Sequence, residues 1–521
     1  MNAVNKSKQV AAMAFQLIPS VAVSLVVTLH QQKALSVGQQ ISTTKTNHAI
    51  SDPTVPIRQR LISLKKRLEL NSVRRRLNEC LQLGVQQNMQ LAAAYATIQQ
   101  QEYTLTSVKR QYLPTLNLTS LPPFLGAVQT QSSATQFQQI IVNPNGTSQV
   151  INDSVSSSSN QNYNQFAPYI TLSWSFFQPS LLASINAQKA QVQRQRLVFD
   201  VTARSAVLSI QQAYFKLQAS KSLIDSFERI YQINLEQVDY VQERQKAGLS
   251  NIGAVEQARA QLYAQMNQLI SYYEDYLKNA ASLALAMNEP TDLIILPEDQ
   301  LAESGSWTKS LQDTIDQALS LREEIKGYLQ SESALKWNAR AAMRKYLPTF
   351  MLQGFYYGLY NKGVADSMVN YESFYTFKAL GLGITWNIFD GGVAAAQSQA
   401  LKAESRNARY QAEYEKYQVR EQIKMTYSAY NTAILSLQNA RANLEAANET
   451  LKVNRARFTV GLTDITSIVQ SMQLLGQASE SYSNSLLQYN NSVVELYRYS
   501  AEWPEAVVTP LAEKVKQLKQ D

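Results

Sequence analysis

Cysteine and histidine are almost absent from this chain of 521 residues: Cys80, His30 and His48 are all it has. A lone cysteine forms no disulfide within the chain, and one cysteine with two distant histidines builds no zinc site. Both histidines precede residue 50, so a histidine base or Ser-His-Asp triad has no place in the body of the chain. No enzymatic activity, metal or other cofactor is expected. Long apolar runs are scarce too. After Leu29 none reaches the roughly 18 residues of a membrane helix, so a membrane crossing by the exported chain would have to use strands. A distributed basic surface is also missing. Eight cations against the single Glu69 lie between residues 58 and 76, accounting for +7 of the net charge of +8. The nearly neutral remainder excludes a nucleic-acid-binding surface. The basic cluster reads either as a solvated helix face or as a contact for anionic envelope polymers or lipid head groups.

Before the cluster, Lys6 and Lys8 precede the apolar stretch Val10 to Leu29, which reads as a signal peptide over residues 1–29, with a retained anchor as the alternative. Residues 30–76 read as a flexible linker followed by a basic helical segment.

The chain repeats itself. RQYLPT at Arg110 to Thr115 returns as RKYLPT at Arg344 to Thr349, 234 positions later, and Leu77 to Thr115 aligns without a gap on Leu311 to Thr349. Both stretches read as helices of about 35 residues that stop before a proline, which cannot continue a helix and biases its predecessor toward extended backbone. YLPT is therefore a helix-to-strand switch used twice. Phe166, Ile170, Leu172, Trp174 and Phe176 then alternate with Ala167, Tyr169, Thr171, Ser173 and Ser175. In the second half Leu380, Leu382, Ile384, Trp386 and Ile388 alternate with Gly381, Gly383, Thr385 and Asn387. A period of two with one apolar face marks strands. Each has an earlier mate, in TLNLTSLPPFLG and TFMLQGFYYGLY, across a segment that reads as a polar exposed loop. Phe355, Tyr356, Tyr357 and Tyr360 are candidates for an interfacial aromatic girdle.

After WSFFQPS and WNIFDGG, heptad patterns run from Pro179 to Ala247 and from Gly391 to Thr459. They carry Ile210, Leu217, Ile224, Tyr231 and Val238 in one, and Ile423, Tyr430, Leu437, Leu444, Leu451 and Phe458 in the other. A sustained seven-residue period predicts coiled-coil packing, and rods of this length reach roughly 100 Å. The rods stop at AGLSNI and VGLTDI, where glycine suits a left-handed helix end and Ser250 and Thr463 are candidate caps for the return helices. Those returns run to about Met287 and Trp503, and the chain after Pro504 reads as a flexible tail. Each chain would supply four strands. Four cannot close a barrel, an open edge is not tolerated in lipid, and three copies would give twelve strands with room for a channel.

The paired YLPT switches, WNIFDGG, and the AGLSNI and VGLTDI turns, in a duplicated frame over residues 77–290 and 311–503 with a tail at 504–521, resemble the TolC family of outer-membrane efflux proteins. The resemblance implies a mainly α fold with a transmembrane β-barrel. In it, long antiparallel coiled-coil helices form a trimeric α-barrel continuous with a 12-stranded β-barrel, four strands per chain. It implies an exit duct in the outer membrane, in contact with its lipid, with the helices in the periplasm. The homotrimer would work with a periplasmic adaptor protein and an inner-membrane ABC or RND-type transporter, in efflux or type I secretion, passing drugs, small molecules or polypeptides. Ala247, Gly248, Leu249, Val460, Gly461 and Leu462 become the periplasmic tip where the adaptor docks. The family's entrance aspartates fall on Ser467 and Gln470, its gating tyrosine and arginine on Phe458 and Thr463, and their acidic partner on Ala254. The same ion pairs cannot hold this entrance shut, and Arg244, Arg457 and Asp464 are candidates for a substitute network. The alternative, a coiled-coil envelope scaffold anchored by its N-terminal segment, leaves unexplained why two strand pairs sit alike in both halves.

Overall fold

The computed structural model describes residues 72–131, 135–155, 158–290, 294–365 and 369–520, together with Gln59, Ile62, Ser63, Lys65 and Lys66. The signal-peptide reading of residues 1–29 and most of the segment 30–71 lie outside the described residues. In chain order the elements are β1 (Ser72–Arg75), α1 (Leu77–Gln87), α2 (Met89–Arg110), β2 (Thr115–Gln131), β3 (Thr135–Val142), β4 (Ser148–Val155), β5 (Ser158–Phe177), α3 (Pro179–Lys246) and α4 (Ile252–Met287). The second half adds β6 (Ile294–Pro297), α5 (Leu311–Leu321), α6 (Glu323–Met343), β7 (Thr349–Ala365), β8 (Val369–Thr385), α7 (Val393–Thr459), α8 (Ile465–Tyr499) and α9 (Glu505–Gln520).

The two rods α3 and α7 have 68 and 67 residues and bury their heptad positions: Ile210, Leu217, Ile224, Tyr231 and Val238 on one, Ile423, Tyr430, Leu437, Leu451 and Phe458 on the other. Toward the turns the helices lie side by side in the order α7, α8, α3, α4; toward the strands the order is α7, α6, α3, α2. Helix α7 thus ends the layer along its whole length.

The 35-residue helices expected before each YLPT are broken, at Asn88 and at Arg322, again 234 positions apart. Both residues leave the helical region, with ψ of 114° and 125°. Buried Asn88 accepts the Leu91 N–H at 3.0 Å, and buried Arg322 donates to Glu324 and Gln422. The hydrophobic pattern continues across each break, which is why periodicity missed it.

At each switch a tryptophan locks the proline turn. Trp174 Nε1 donates to the Tyr112 carbonyl at 2.7 Å and Trp386 Nε1 to the Tyr346 carbonyl at 2.9 Å. The repeated YLPT therefore has a repeated partner. Strand β8 stops at Thr385, so Trp386 and Ile388 are not strand residues as their alternation suggested. Asp390 ends the irregular stretch by accepting from Gly392 N, Ala394 N and the Tyr346 hydroxyl, which starts α7.

Strands β2, β5, β7 and β8 form one antiparallel sheet in that order, leaving β2 and β8 as edges. Register and pleat sort the side chains. One face carries Leu116, Leu118, Ile170, Leu172, Trp174, Leu352, Leu380, Leu382 and Ile384; the other carries Thr115, Asn117, Thr119, Thr171, Ser173, Gln353, Gly381 and Gly383. Leu118 is 74% and Leu382 78% exposed, with no layer packed over them. A face that apolar and that bare is a lipid-facing one. The aromatic cluster divides by the same parity: Tyr356 and Tyr360 lie on the lipid side, Phe355 and Tyr357 on the polar side, so the four do not share one girdle.

Three further expectations change. The first polar loop contains the hairpin β3–β4, turned at Asn143 to Gly146, and in the second half β7 runs on to Ala365 and β8 begins at Val369, with residues 366–368 outside the described residues. The tail after Pro504 is not flexible, because α9 packs against α1, with Val507 buried and Gln86 and Gln99 donating to Glu513 and the Leu518 carbonyl. The basic segment ends in strand, with β1 pairing parallel to β6, and its charges are partly consumed within the chain by Arg75–Glu289 at 2.6 Å and Arg76–Glu298 at 2.9 Å.

Candidate functional site

The helical turns are built alike. Gly248 and Gly461 have φ of +75° and +78°, the left-handed conformation that costs glycine nothing. Leu249 N donates to the Arg244 carbonyl and Leu462 N to the Arg457 carbonyl, both at 2.8 Å, while each glycine N–H bonds to the carbonyl three residues back. These six-to-one bonds close α3 and α7 in Schellman fashion. The return helices are capped one residue later than expected. Asn251 accepts the Ala254 N–H at 2.8 Å and Asp464 the Ser467 N–H at 3.1 Å, in place of Ser250 and Thr463. A side-chain carbonyl or carboxylate oxygen of Asn or Asp reaches the third amide of the helix as well as a hydroxyl does.

The closure leaves apolar side chains bare at both turns: Leu249 is 69%, Leu462 77% and Val460 69% exposed. Ala247, Gly248 and Gly461 are exposed with them. The tip thus presents two apolar knuckles on tightly fixed backbone.

Between the knuckles lies a cavity of about 620 Å³ lined by Arg244, Asn251, Ala254, Phe458, Thr463 and Asp464, among others. Arg244 spans the two hairpins. Its Nη1 donates to the Phe458 carbonyl at 3.4 Å, and its guanidinium carbon lies 5.5 Å from the Phe458 ring and 5.8 Å from that of Tyr240. The Tyr240 and Phe458 rings meet edge-on at 5.6 Å. The expected network of Arg244, Arg457 and Asp464 does not form. The Asp464 carboxylate is occupied in capping α8 through Ser467 N and Oγ, and Arg457 is exposed. Among the described residues no ion pair joins the three. Ser467 belongs to that cap, whereas Gln470 stands exposed one turn further along α8. Tyr240 was missed; its signal was its place one turn before Arg244, where a helix stacks the two.

A second polar centre, also missed, sits where α6 restarts. Arg204 donates to Glu323 at 3.0 Å and to the Glu502 carbonyl, and lies 4.0 Å over the Trp503 ring. Arg322 and Arg498 both pair with Glu324, holding its carboxyl down at about 2 against the cost of burial. Asp200, beside this group, is pushed up to about 6 by burial and by the Glu323 charge, against the pull of Arg204.

Among the described residues, no group of three or more His, Cys, Asp or Glu could hold a metal ion, and no helix is long and apolar enough to cross a membrane.

The sequence profile of outer membrane efflux proteins matches residues 80–289 and 314–502. The chain is similar to the outer membrane protein TolC of Vibrio cholerae, 21% identical over 334 residues that span 63% of this chain and 74% of that protein. Its fold is that of solved channels. The Campylobacter jejuni CmeC outer membrane channel superposes with a TM-score of 0.62 at 17% identity, over 93% of this chain and 94% of that one. CusC does so with a TM-score of 0.64 at 14% identity, over 83% and 94%. With a helical layer on one side of a lipid-facing sheet and the profile spanning both repeats, the chain belongs to the outer membrane efflux protein family and is an efflux channel of the outer membrane.

Proposed function

We propose that three copies assemble into a single duct, with twelve strands in the membrane and a helical tube in the periplasm. The observation that carries this reading is that both layers of the chain end in unsatisfied edges. Strands β2 and β8 expose unpaired backbone beside a lipid-facing surface, where an open edge is not tolerated. Helix α7, at the end of the helical layer, leaves Tyr410, Tyr414, Tyr417, Met425 and Leu435 exposed. A neighbouring copy supports both at once: β8 pairs with its β2, and α7 packs against its α2 and α4. A closed cyclic arrangement leaves no edge over.

The apolar knuckles at Ala247 to Leu249 and Val460 to Leu462 dock the periplasmic adaptor, and an inner-membrane ABC or RND-type transporter loads the cargo, in drug efflux or in type I secretion of polypeptides. Arg244, lodged against Tyr240 and Phe458, holds the hairpins together at the entrance. The test is to measure the mass of the detergent-solubilised protein by light scattering and to place the same sample in a planar bilayer. Three protomers with stepwise conductance support the duct; a monomer or dimer that is silent in the bilayer refutes it.

A further inference from the structure

The polar face of the sheet is not polar throughout. Halfway up the strands, Tyr169 on β5, Tyr357 on β7 and Phe377 on β8 stand directly opposite one another in register, and Phe355 lies two residues away on the same face. The Phe355 and Phe377 rings are 5.4 Å apart, inclined by 31°. Thr115, Asn117, Thr171, Ser173 and Gln353 surround them below and alongside. On the opposite face the apolar residues are branched aliphatics with a few aromatics, as lipid contact requires. Four rings gathered on this face, with the Leu359–Tyr375 pair one step beyond them and hydroxyls, amides and glycines below, are out of place as lipid contacts. They are also out of place as core, since Phe355 and Phe377 remain 44% and 55% exposed.

We infer that these residues form an aromatic collar inside the barrel that makes transient contact with aromatic, amphiphilic solutes in transit, a reading that rests on the trimeric duct proposed above. Twelve strands about 4.8 Å apart and tilted by about 40° make a wall with a radius on the order of 12 Å. Inward rings narrow that bore further, so a solute of drug size passing this level meets them. The rings border a cavity of about 830 Å³, within the range of small-molecule sites at roughly 300–1,000 Å³. Their chemistry selects the class of occupant. Ring faces stack on planar apolar groups and attract cations, and the Tyr169 and Tyr357 hydroxyls accept or donate to a polar tip. The contact must also release its occupant, and aromatic contacts among Thr and Ser neighbours, without a buried charge, are weak enough to do so.

The experiment compares two probes of equal charge, tetraphenylphosphonium and tetrabutylphosphonium, as blockers of single channels of the intact protein in planar bilayers. The wild type should hold the phenyl compound about tenfold longer, the effect of one or two ring contacts. Phe377→Leu and, independently, Phe355→Leu keep an apolar side chain of similar bulk and should bring the ratio to within about twofold of unity while the channel still conducts. Equal dwell times in the wild type, or a preference that survives both variants, overturns the collar and leaves the duct standing. A closed wild type opened by either leucine means the rings pack against those of neighbouring protomers, which also overturns it. Protein that inserts yet never conducts removes the duct, and the collar with it.

Discussion

Replacing Arg244 with alanine should open the entrance. The side chain joins the two hairpins by a 3.4 Å hydrogen bond to the Phe458 carbonyl and by its position 5.5 Å from the Phe458 ring, while the Tyr240 ring on its own helix braces it from 5.8 Å. The hydrogen bond is long and adds little. The Tyr240 ring stands on the same helix as Arg244 and stays beside it when the hairpins part, so only the Phe458 ring contact counts, about 0.5–1 kcal/mol per protomer at a half-exposed site. If three protomers open together, the closed state loses about 1.5–3 kcal/mol, and the open-to-closed ratio rises by about 10 to 10². Single-channel recording reads this directly as time spent in the fully conducting level. Arg244→Lys should fall between wild type and alanine, since an ammonium keeps the ring attraction and loses the fork geometry. Asp464→Asn should behave as wild type, because asparagine caps a helix as well as aspartate does. The reasoning fails if an intact Arg244→Ala trimer shows an open fraction within twofold of wild type. It fails also if Asp464→Asn opens the channel as Arg244→Ala does, because charge rather than ring contact would then control the entrance.

The parity of the sheet predicts that Leu118→Arg costs about 2–4 kcal/mol of membrane stability, seen as loss of heat-resistant protein from the outer-membrane fraction. The neighbouring Asn117→Arg should insert normally and change conductance instead; equal insertion defects would refute the face assignment. The carboxyl of Asp200 sits at about 6 in the folded chain, above its ordinary value, so burial favours the protonated form. Its contribution to stability is therefore present below about pH 4 and is lost as pH rises through about 6; Asp200→Asn should flatten thermal stability between those values, and an unchanged profile would count against the assignment. Trp174→Phe and Trp386→Phe should each lower stability by about 0.5–1.5 kcal/mol, the worth of one neutral hydrogen bond, and by similar amounts if the two switches are equivalent. A loss confined to one of them in denaturant titration would show that they are not.

Much of this was legible because it depends on neighbours in sequence. The duplication, the proline that stops each first helix, the glycine that closes each rod, the heptads and the two-residue alternation all follow from backbone sterics and from which side of an element must avoid water. The breaks at Asn88 and Arg322 were not, because the apolar pattern runs through them; Asn88 alone carried a local sign, as a residue type that caps helices. Helix α9 escaped notice for a different reason. Its order comes from packing on α1, more than 400 positions away in the sequence, and its own composition says little of that.

The candidate entrance divides in the same way. Both turns and their exposed leucines could be located from AGLSNI and VGLTDI, since a left-handed glycine and a helix cap are local events. The partner of Arg244 could not, because opposite charge suggested Asp464 while the folded chain uses that carboxylate on its own helix and offers Arg244 two rings. Likewise alternation along a strand separates Phe355 and Tyr357 from Tyr356, but only the pairing with neighbouring strands shows which of the two faces is the polar one. The sequence by itself determined where the long rods, their glycine turns and the helix-to-strand switches run, because sterics and periodicity act over a few residues. The tertiary structure decided which side chains meet, because contacts between hairpins some 200 residues apart depend on how whole elements align.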